Sequence, residues 1–504
     1  MKIITKGQMI QAEQGSVLHG VSLSQLMDNA GFSLFTAIKN YAYKNMISDC
    51  LLIVGSGNNG GDGLVCANLL LSAGITPTIL LVSDVKTELA KNALSSLNPE
   101  IEVLSCENAD FEKIIQSAKI IVDCVFGTGF HGELRDDVRQ VFASVEASDA
   151  YKIACDLPSG VNCENGFAAS GTVKFDKTVT FHAAKLGCLI SPAREICGEI
   201  EAFDICIPPA ADLSLPIKEM NDDLAKEFLP KRPDNAHKGT FGKACLLVGS
   251  NKYIGAAILS ATACLRSGVG LVNVMSVESV VNAIAPSIPE AIFTPLVGTD
   301  GVIAKENAEL ILKEAEKADA LLIGCGIQKT PETVELVKRV VEGYKGTIIL
   351  DADGINSICE NIDVLRSTEA NVILTPHPAE LSRLIGQSTA ETLENRIASV
   401  ISFCDKYGVT MISKSRESFV YSSNEAYLVS KGNSALSKGG SGDMLAGICT
   451  SLIAQGVEPP KALALSSYIL GECAESLSKD KSKRGIIARD ILNALPGVFF
   501  NIEN

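Results

Sequence analysis

The chain has 504 residues, 46% of them hydrophobic and 20% charged, and a formal net charge of −15. That balance excludes wholesale disorder, and the length provides for about two or three domains, each with chain enough for a sizeable core. The acidic excess argues against a broad duplex nucleic-acid surface or an anionic membrane face, and it leaves room for a small anion held by backbone N–H groups.

The opening stretch MKIITKGQMIQAEQG has no apolar signal core or small-residue cleavage site. The longest charge-free run, between Asp62 and Asp84, contains Asn68, Gly74 and Pro77. It reads as a helix that breaks at Gly74 and gives way to a strand, not as a membrane span. Sixteen cysteines are spread along the chain, and the nearest two in sequence are Cys155 and Cys163. With no Cys-x-x-Cys, zinc-site spacing is absent, and most are expected to be small buried hydrophobes in a reducing cytoplasm.

In chain order, Leu51–Val54, Ile79–Val82, Ile120–Val125 and Ile153–Cys155 read as buried strands with helix-like segments between most of them. The pattern returns at Ala244–Val248, Ala320–Ile323, Thr347–Leu350 and Asn371–Leu374. Continuous apolar strands alternating with helices predict α/β architecture, each parallel sheet covered on both faces in three layers. Pro208, Pro209, Pro216, Pro230 and Pro233 cluster among polar residues between the two series, which places the boundary near 212–220. Two tandem domains are expected, 1–215 and 216–504.

The segment LLIVGSGNNGGDGLVCANLLLSAG reads as strand, glycine-rich turn and helix. Gly55, Gly57 and Gly60 satisfy the dinucleotide spacing, with Asp84 as a stand-in for the acidic ribose partner. Asn58, Asn59 and Asp62 make an ordinary dehydrogenase less apt, because a carboxylate at the helix start repels a pyrophosphate. Asp123 heads DCVFGTGFHGELR, Asp156 and Ser159 lie in DLPSG, and Lys185 follows a strand in TFHAAKLG. In doubly wound sheets the ligand crevice lies outside the carboxyl ends of the strands, so these clusters converge on one edge. Taken alone, Asp156 reads more readily as a turn or cap residue, and it is the convergence of the clusters that points to a site.

In the second series, NSALSKGGSGDMLAGICTSLIAQG places Gly439, Gly440 and Gly442 before an apolar helix that ends near Gly456. Free N–H groups at such a helix start form an anion hole for a transferring phosphoryl group. Asp443 falls in the first turn, where the helix dipole favours its ionised form and hence a role as proton acceptor. Cys325, in GCG, reads as core packing.

These motifs carry resemblances. GSGNNGGDGL, DCVFGTGFHGE, DLPSGVN, TFHAAKLG and the early LMDNAG resemble the NAD(P)H-hydrate epimerase family, which implies a Rossmann-like domain that interconverts R and S hydrates of the reduced nicotinamide cofactors. By that resemblance Asn58, Asn59, Gly60, Gly61, Asp62, Gly127, Thr128, Gly129, Phe130, His131, Gly132 and Glu133 contact the hydrate. Asp156 touches the reacting ring, and Asn59, Asp123 and Ser159 hold K+. Epimerising a carbinolamine carbon requires reversible bond cleavage and proton exchange, so Asp156 and Lys185 are expected as the acid/base pair.

GGSGD resembles the ribokinase-like superfamily. HKGTFGKACLLVGS, YIGAAILSATACLRSGVGLV, LDADGIN and TPHPAELSRL are similar to its NAD(P)H-hydrate dehydratase branch. The resemblance implies Asp443 as catalytic base, and Ala256, Gly326 and His377 along with Asp443 at the hydrate. It implies Lys414, Ser415, Arg416, Glu417, Ser418 and Gly442 at an adenine nucleotide, ADP or ATP, with Mg2+ as its companion. Two departures stand out: Lys414-Ser415-Arg416 where the family has Lys-Gly, and Leu470-Gly471 where it has His-Gly. The expectation is a two-domain metabolite-repair enzyme, a homo-oligomer with no nucleic-acid or membrane partner. A vitamin or sugar-alcohol kinase, or a binding module in the first half, are the alternatives.

Overall fold

A computed structural model describes residues 2–107, 109–212 and 215–504. The chain divides into two compact units, Met1–Pro216 and Ile217–Asn504. Among the described residues no helix is long and apolar enough to cross a membrane. All sixteen cysteines are free.

The first unit is built on a seven-stranded sheet. Its strands are β2 (Asp49–Val54), β3 (Thr76–Leu81), β4 (Glu102–Ser105), β5 (Ile120–Cys124), β6 (Tyr151–Cys155), β7 (Lys177–Phe181) and β9 (Glu199–Phe203). A short pair lies beside them, with β1 (Lys2–Ile4) parallel to β8 (Ala184–Lys185). The order β4-β3-β2-β5-β6-β7-β9 is parallel throughout. Alternate residues of β2 enter different cores: Leu52 and Val54 pack in one, Leu51 and Ile53 in the other. Helices Leu23–Asn45 and Asn58–Ser72 cover the first face, while Phe111–Ser117 and Asp136–Glu146 contribute to the second. Burial on both sides is why these strands lack an alternating polar pattern.

The expected strands are present, with ends displaced by one to three residues. Polar residues such as Asp49, Thr76 and Tyr151 join the ladders because pairing needs only backbone groups. Val125, expected in the strand, leaves it. Its N–H donates at 3.0 Å to Oδ1 of Asp123, and this turns the chain.

Strand order reverses between β2 and β5, so the segments following their carboxyl ends diverge and leave a crevice. A Cβ on Gly55 would stand 2.2 Å from the Val125 carbonyl oxygen, so the two loops touch at a point only glycine permits. The helix that follows begins at Asn58 with no side-chain cap, leaving its first N–H groups directed towards that crevice.

The second unit carries β10 (Ile217–Glu219), β11 (Lys243–Leu247), β12 (Leu271–Val277) and β13 (Ile292–Leu296), then a small hairpin of β14 (Gly298–Thr299) and β15 (Val302–Ile303). It continues through β16 (Ala320–Ile323), β17 (Thr347–Leu350), β18 (Asn371–Leu374), β19 (Thr410–Ser413), β20 (Ser418–Tyr421) and β21 (Ala426–Val429). The order is β13-β12-β11-β16-β17-β18-β19-β20-β21-β10, parallel up to β19 and antiparallel through β20 and β21. Here the reversal falls between β11 and β16. The helix Ser441–Ala454 runs against this sheet and is buried from Met444 onwards.

Close backbone packing fixes the second crevice. Gly324, just after β16, has φ +131°, and a Cβ there would lie 1.8 Å from the carbonyl oxygen of Asp351. Gly324→Ala is expected to destabilise this unit by about 2–4 kcal/mol through combined strain and overlap. The measurement is its thermal melting against wild type.

Candidate functional sites

In the first unit a cavity of about 620 Å³ opens at the β2/β5 reversal. Its wall includes Asn58, Asn59, Asp62, Gly127, Thr128, Gly129, Phe130, His131, Glu133 and Asp156. Gly60, Gly61 and Gly132, expected beside them, are not part of that wall. Gly60 backs onto the Gly55 carbonyl and Gly61 onto the Met27 side chain, so both serve helix packing. The 126–135 loop is anchored by a contact between the Phe126 and Phe130 rings, 5.3 Å between centroids, and by the Ser170 N–H donating to Glu133 at 3.0 Å.

Asp156 has φ +68°, a left-handed conformation that turns its carboxylate to the cavity at the end of β6. Oδ1 accepts from Lys185 Nζ at 2.5 Å and from Thr180 Oγ1 at 3.2 Å. Lys185 is only 1% exposed, and its ammonium also donates to Thr180 Oγ1 and to the Phe181 carbonyl. With its donors committed to these groups and no place on the cavity wall, Lys185 orients Asp156 and balances its charge. Of the expected acid/base pair, Asp156 lies on the cavity wall and Lys185 behind it.

Behind this wall, Asp123 is buried at the end of β5. Its carboxylate accepts from the Ser159 N–H and the Ser159 hydroxyl, each at 2.7 Å, and from the Val125 N–H. The Ser159 hydroxyl in turn accepts from the Phe126 N–H at 2.7 Å. Burial pushes the Asp123 carboxyl up to about 6 against these stabilising bonds. Asn59 is buried close by, with its amide nitrogen unpartnered. A Cβ on Gly127 would stand 3.2 Å from the Asn59 amide oxygen, so Asn59 packs against the loop whose Phe126 N–H is held by Ser159.

Asp62 departs from expectation. It lies inside the helix, and its carboxyl is pushed well above the usual carboxylate range by burial and then by the charge of Asp156. Burial thus favours its neutral form, which weakens the repulsion anticipated for a pyrophosphate. Glu13 was not singled out by its sequence. It lines the cavity from the helix Lys6–Leu18, raised by burial and by Asp156. The available signal was that it is the helix's single acidic residue.

In the second unit the carboxyl ends of β16, β17, β18 and β19 gather Cys325, Asp351, Thr375 and Lys414 around the helix start. Gly440 takes φ +97° and the helix begins at Ser441, so Gly442 lies within the first turn instead of preceding it. Lys414 is held by Asp351 at 2.8 Å, and its Nζ would stand 3.5 Å from a Cβ on Gly442. Thr375 Oγ1 donates to the same Asp351 oxygen at 2.6 Å. Cys325, Asp351 and Asp443 present ligand-type atoms within 4.8 Å of one another. A thiol is a poor Mg2+ ligand, and the Lys414 ammonium already supplies the positive charge.

Asp443 is raised to about 6, first by burial and then by the Asp351 charge. Burial thus outweighs the helix dipole on which the expectation of a readily ionised Asp443 rested. The residues expected at the hydrate are partly united: a Cβ on Gly326 (φ +71°) would meet the Ala256 Cβ at 2.8 Å. His377 caps the helix Pro378–Ile385, its Nδ1 accepting from the Ala379 N–H at 3.1 Å. Of the stretch expected along a nucleotide, Ser415 and Arg416 are exposed, whereas Glu417 and Ser418 turn inward. There the Glu417 carbonyl accepts from the buried Arg396 guanidinium at 3.0 Å.

A carboxyl whose folded pKa is raised favours the folded state while protonated, and that contribution is lost as pH rises through about 6. Asp443→Asn is therefore expected to raise the melting temperature of the second unit at pH 8, by on the order of 1–3 kcal/mol in stability. The gain should shrink towards zero at pH 4, and paired melting curves at the two pH values measure it.

Comparison with known proteins supplies the family. The family described as NAD(P)H-hydrate dehydratase matches residues 244–497, and the YjeF-related protein N-terminus matches residues 23–187. A bifunctional NAD(P)H-hydrate repair enzyme of Moorella thermoacetica is 29% identical over 100% of this chain and 97% of its own. Its counterpart in Archaeoglobus fulgidus is 32% identical over 98% of each. An ADP/ATP-dependent NAD(P)H-hydrate dehydratase from Bacillus subtilis, crystallised with ATP and Mg2+, aligns with TM-score 0.51 and 28% identity, over 57% of this chain and 99% of that one. The chain belongs to the family of bifunctional NAD(P)H-hydrate repair enzymes, with an epimerase unit followed by a ribokinase-like dehydratase unit.

Proposed function

We propose that the first unit interconverts the R and S hydrates of NADH and NADPH at the 620 Å³ cavity, and that the second dehydrates the S form with ADP, giving NAD(P)H, AMP and phosphate. The observation that carries this reading is the pair of crevices, one with Asp156 facing a cavity and one with Asp443 at a glycine-bounded helix start.

In the epimerase unit Asp156 faces the carbinolamine carbon, and Lys185 fixes its orientation through their 2.5 Å contact. The amide-rich start of the helix Asn58–Ser72 and the 127–133 loop hold the rest of the hydrate. Asn59, Asp123 and Ser159 fit K+: their donors are oxygens, one buried carboxylate matches a single positive charge, and a half-turn of the Asn59 amide directs oxygen where its nitrogen is unpartnered. Bound there, the ion would screen Asp123 and hold the 125–129 loop.

In the dehydratase unit Asp443 takes the proton of the C6 hydroxyl as that oxygen accepts the terminal phosphoryl group of ADP. The C6–O bond then breaks with loss of phosphate, and loss of the C5 proton restores the dihydronicotinamide. N–H groups around Gly442 face the transferring phosphoryl group, with Lys414 alongside. Mg2+ would arrive on the nucleotide phosphates. Ala256, Gly326 and His377 would border the hydrate, and Ser415 and Arg416 the nucleotide. Sixteen free cysteines accord with a reducing cytoplasm, and a homo-oligomer completes the reading.

The vitamin-kinase alternative shares the Asp443 chemistry but leaves the first unit without a task. Recovery of absorbance at 340 nm from mixed R and S NADH hydrates with ADP tests the two together. Asp443→Asn is expected to abolish recovery from both epimers, by about 100-fold or more. Asp156→Asn should remove recovery from R alone, and unimpaired use of R by that variant overturns its assignment. Exchanging K+ for Li+ should slow epimerisation several-fold and lower the melting temperature of the first unit, since an ion bound to the folded state stabilises it.

A further inference from the structure

We propose that Glu13 is a second catalytic carboxyl of the epimerase site, exchanging a proton with the substrate hydroxyl opposite in role to Asp156. The inference rests on the epimerase reading and adds a residue to it. Glu13 reaches the cavity from the helix Lys6–Leu18, whereas Asp156 reaches it from the end of β6. The two carboxyls therefore come from separate elements and meet one ligand space.

Their surroundings differ in a way that suits two roles. Asp156 is ion-paired with Lys185 and bonded to Thr180, so its carboxyl is fixed in place by the protein. Glu13 is half-buried, and its carboxyl has no hydrogen-bond or ion-pair partner among the described residues. A carboxyl at the cavity wall with no protein partner keeps its oxygens available to a bound hydroxyl. Burial, followed by the Asp156 charge, raises Glu13, and Lys185 opposes this more weakly. The titratable and charged groups at the cavity are Asp62 from the helix Asn58–Ser72, Glu133, Arg135 and His131 from the loop, and Asp156 with Lys185 behind it. Asp62 is also unpartnered among the described residues, and burial with the charges of Asp156 and Glu13 pushes its carboxyl well above the usual carboxylate range. Burial favours the protonated form of Glu13, which is the form that donates a proton.

The step balances with water alone. Glu13 donates its proton to the C6 hydroxyl, the C6–O bond breaks, and the ring nitrogen lone pair forms the C=N bond as water departs. Water then adds to the other face of C6, and its proton passes to the Asp156 carboxylate. Proton return from Asp156 to Glu13 through cavity water resets the site, and the reverse reaction exchanges the two roles.

The test uses the full chain and measures consumption of R-NADH hydrate with excess ADP. Expected for E13Q is a fall in kcat of about 100-fold with KM within about threefold, and for E13D a partial recovery. Dehydration of the S hydrate should be unchanged in both variants. The alkaline limb of the wild-type kcat profile should disappear in E13Q, which a merely structural role would not produce. If E13Q does not fold, E13D carries the test, with a loss of about tenfold and a shifted alkaline limb. R-epimer consumption by the folded variant within threefold of wild type overturns the assignment to Glu13. Wild-type protein that exchanges the epimers no faster than buffer overturns the epimerase reading and this inference with it.

Discussion

A parallel sheet whose strand order reverses cannot close its carboxyl edge. Crossover connections leave the two strands at the reversal in opposite directions, so the loops after them part and their backbone groups stay available. In the first unit the reversal lies between β2 and β5, and in the second between β11 and β16. Everything reactive in either unit stands at that edge. Asp123 and Asp156 end adjacent strands in one, and Asp351 and Lys414 follow strands in the other. Glycines make the edge narrow enough to work: Gly55 against Val125 and Gly324 against Asp351 allow backbone approaches that any side chain would prevent.

Buried charge is the second constraint, and the units meet it alike. Each sets one ammonium against one carboxylate, Lys185 with Asp156 and Lys414 with Asp351, and bonds that carboxylate to a threonine hydroxyl. Such pairs contribute little net stability, because desolvation offsets most of the attraction. Their effect is felt by the neighbouring carboxyls, which are left with burial and a nearby negative charge. Asp62 and Glu13 are raised beside Asp156, and Asp443 beside Asp351. A fixed ion pair next to a carboxyl of raised pKa places a proton donor and a proton acceptor in one crevice.

Much of this was legible in the sequence because it is local. Continuous apolar runs separated by amphipathic stretches predicted strands covered on both faces, and the ladders of β16, β17 and β18 begin and end where the runs do. Glycine clusters followed by an apolar run gave the two helix starts. Resemblance added the family, since GSGNNGGDGL and GGSGD tie particular side chains to particular loops. Boundaries were less legible where ladder pairing recruits polar residues, as at Asp49, and where a side chain captures the backbone, as Asp123 captures the Val125 N–H.

The sequence by itself determined the two α/β units, the loops at their strand ends and the chemical types of the residues placed there, because each depends on short-range pattern. Only the tertiary structure decided which of those residues line the cavity and in which direction burial moves their acidities. Lys185 was removed from the cavity wall by its three bonds, and Glu13 was brought to it from a helix far away in sequence. Asp443 lost its expected readiness to ionise. Desolvation and charge coupling depend on everything packed around a group, and those neighbours come from segments that meet only when the chain is folded.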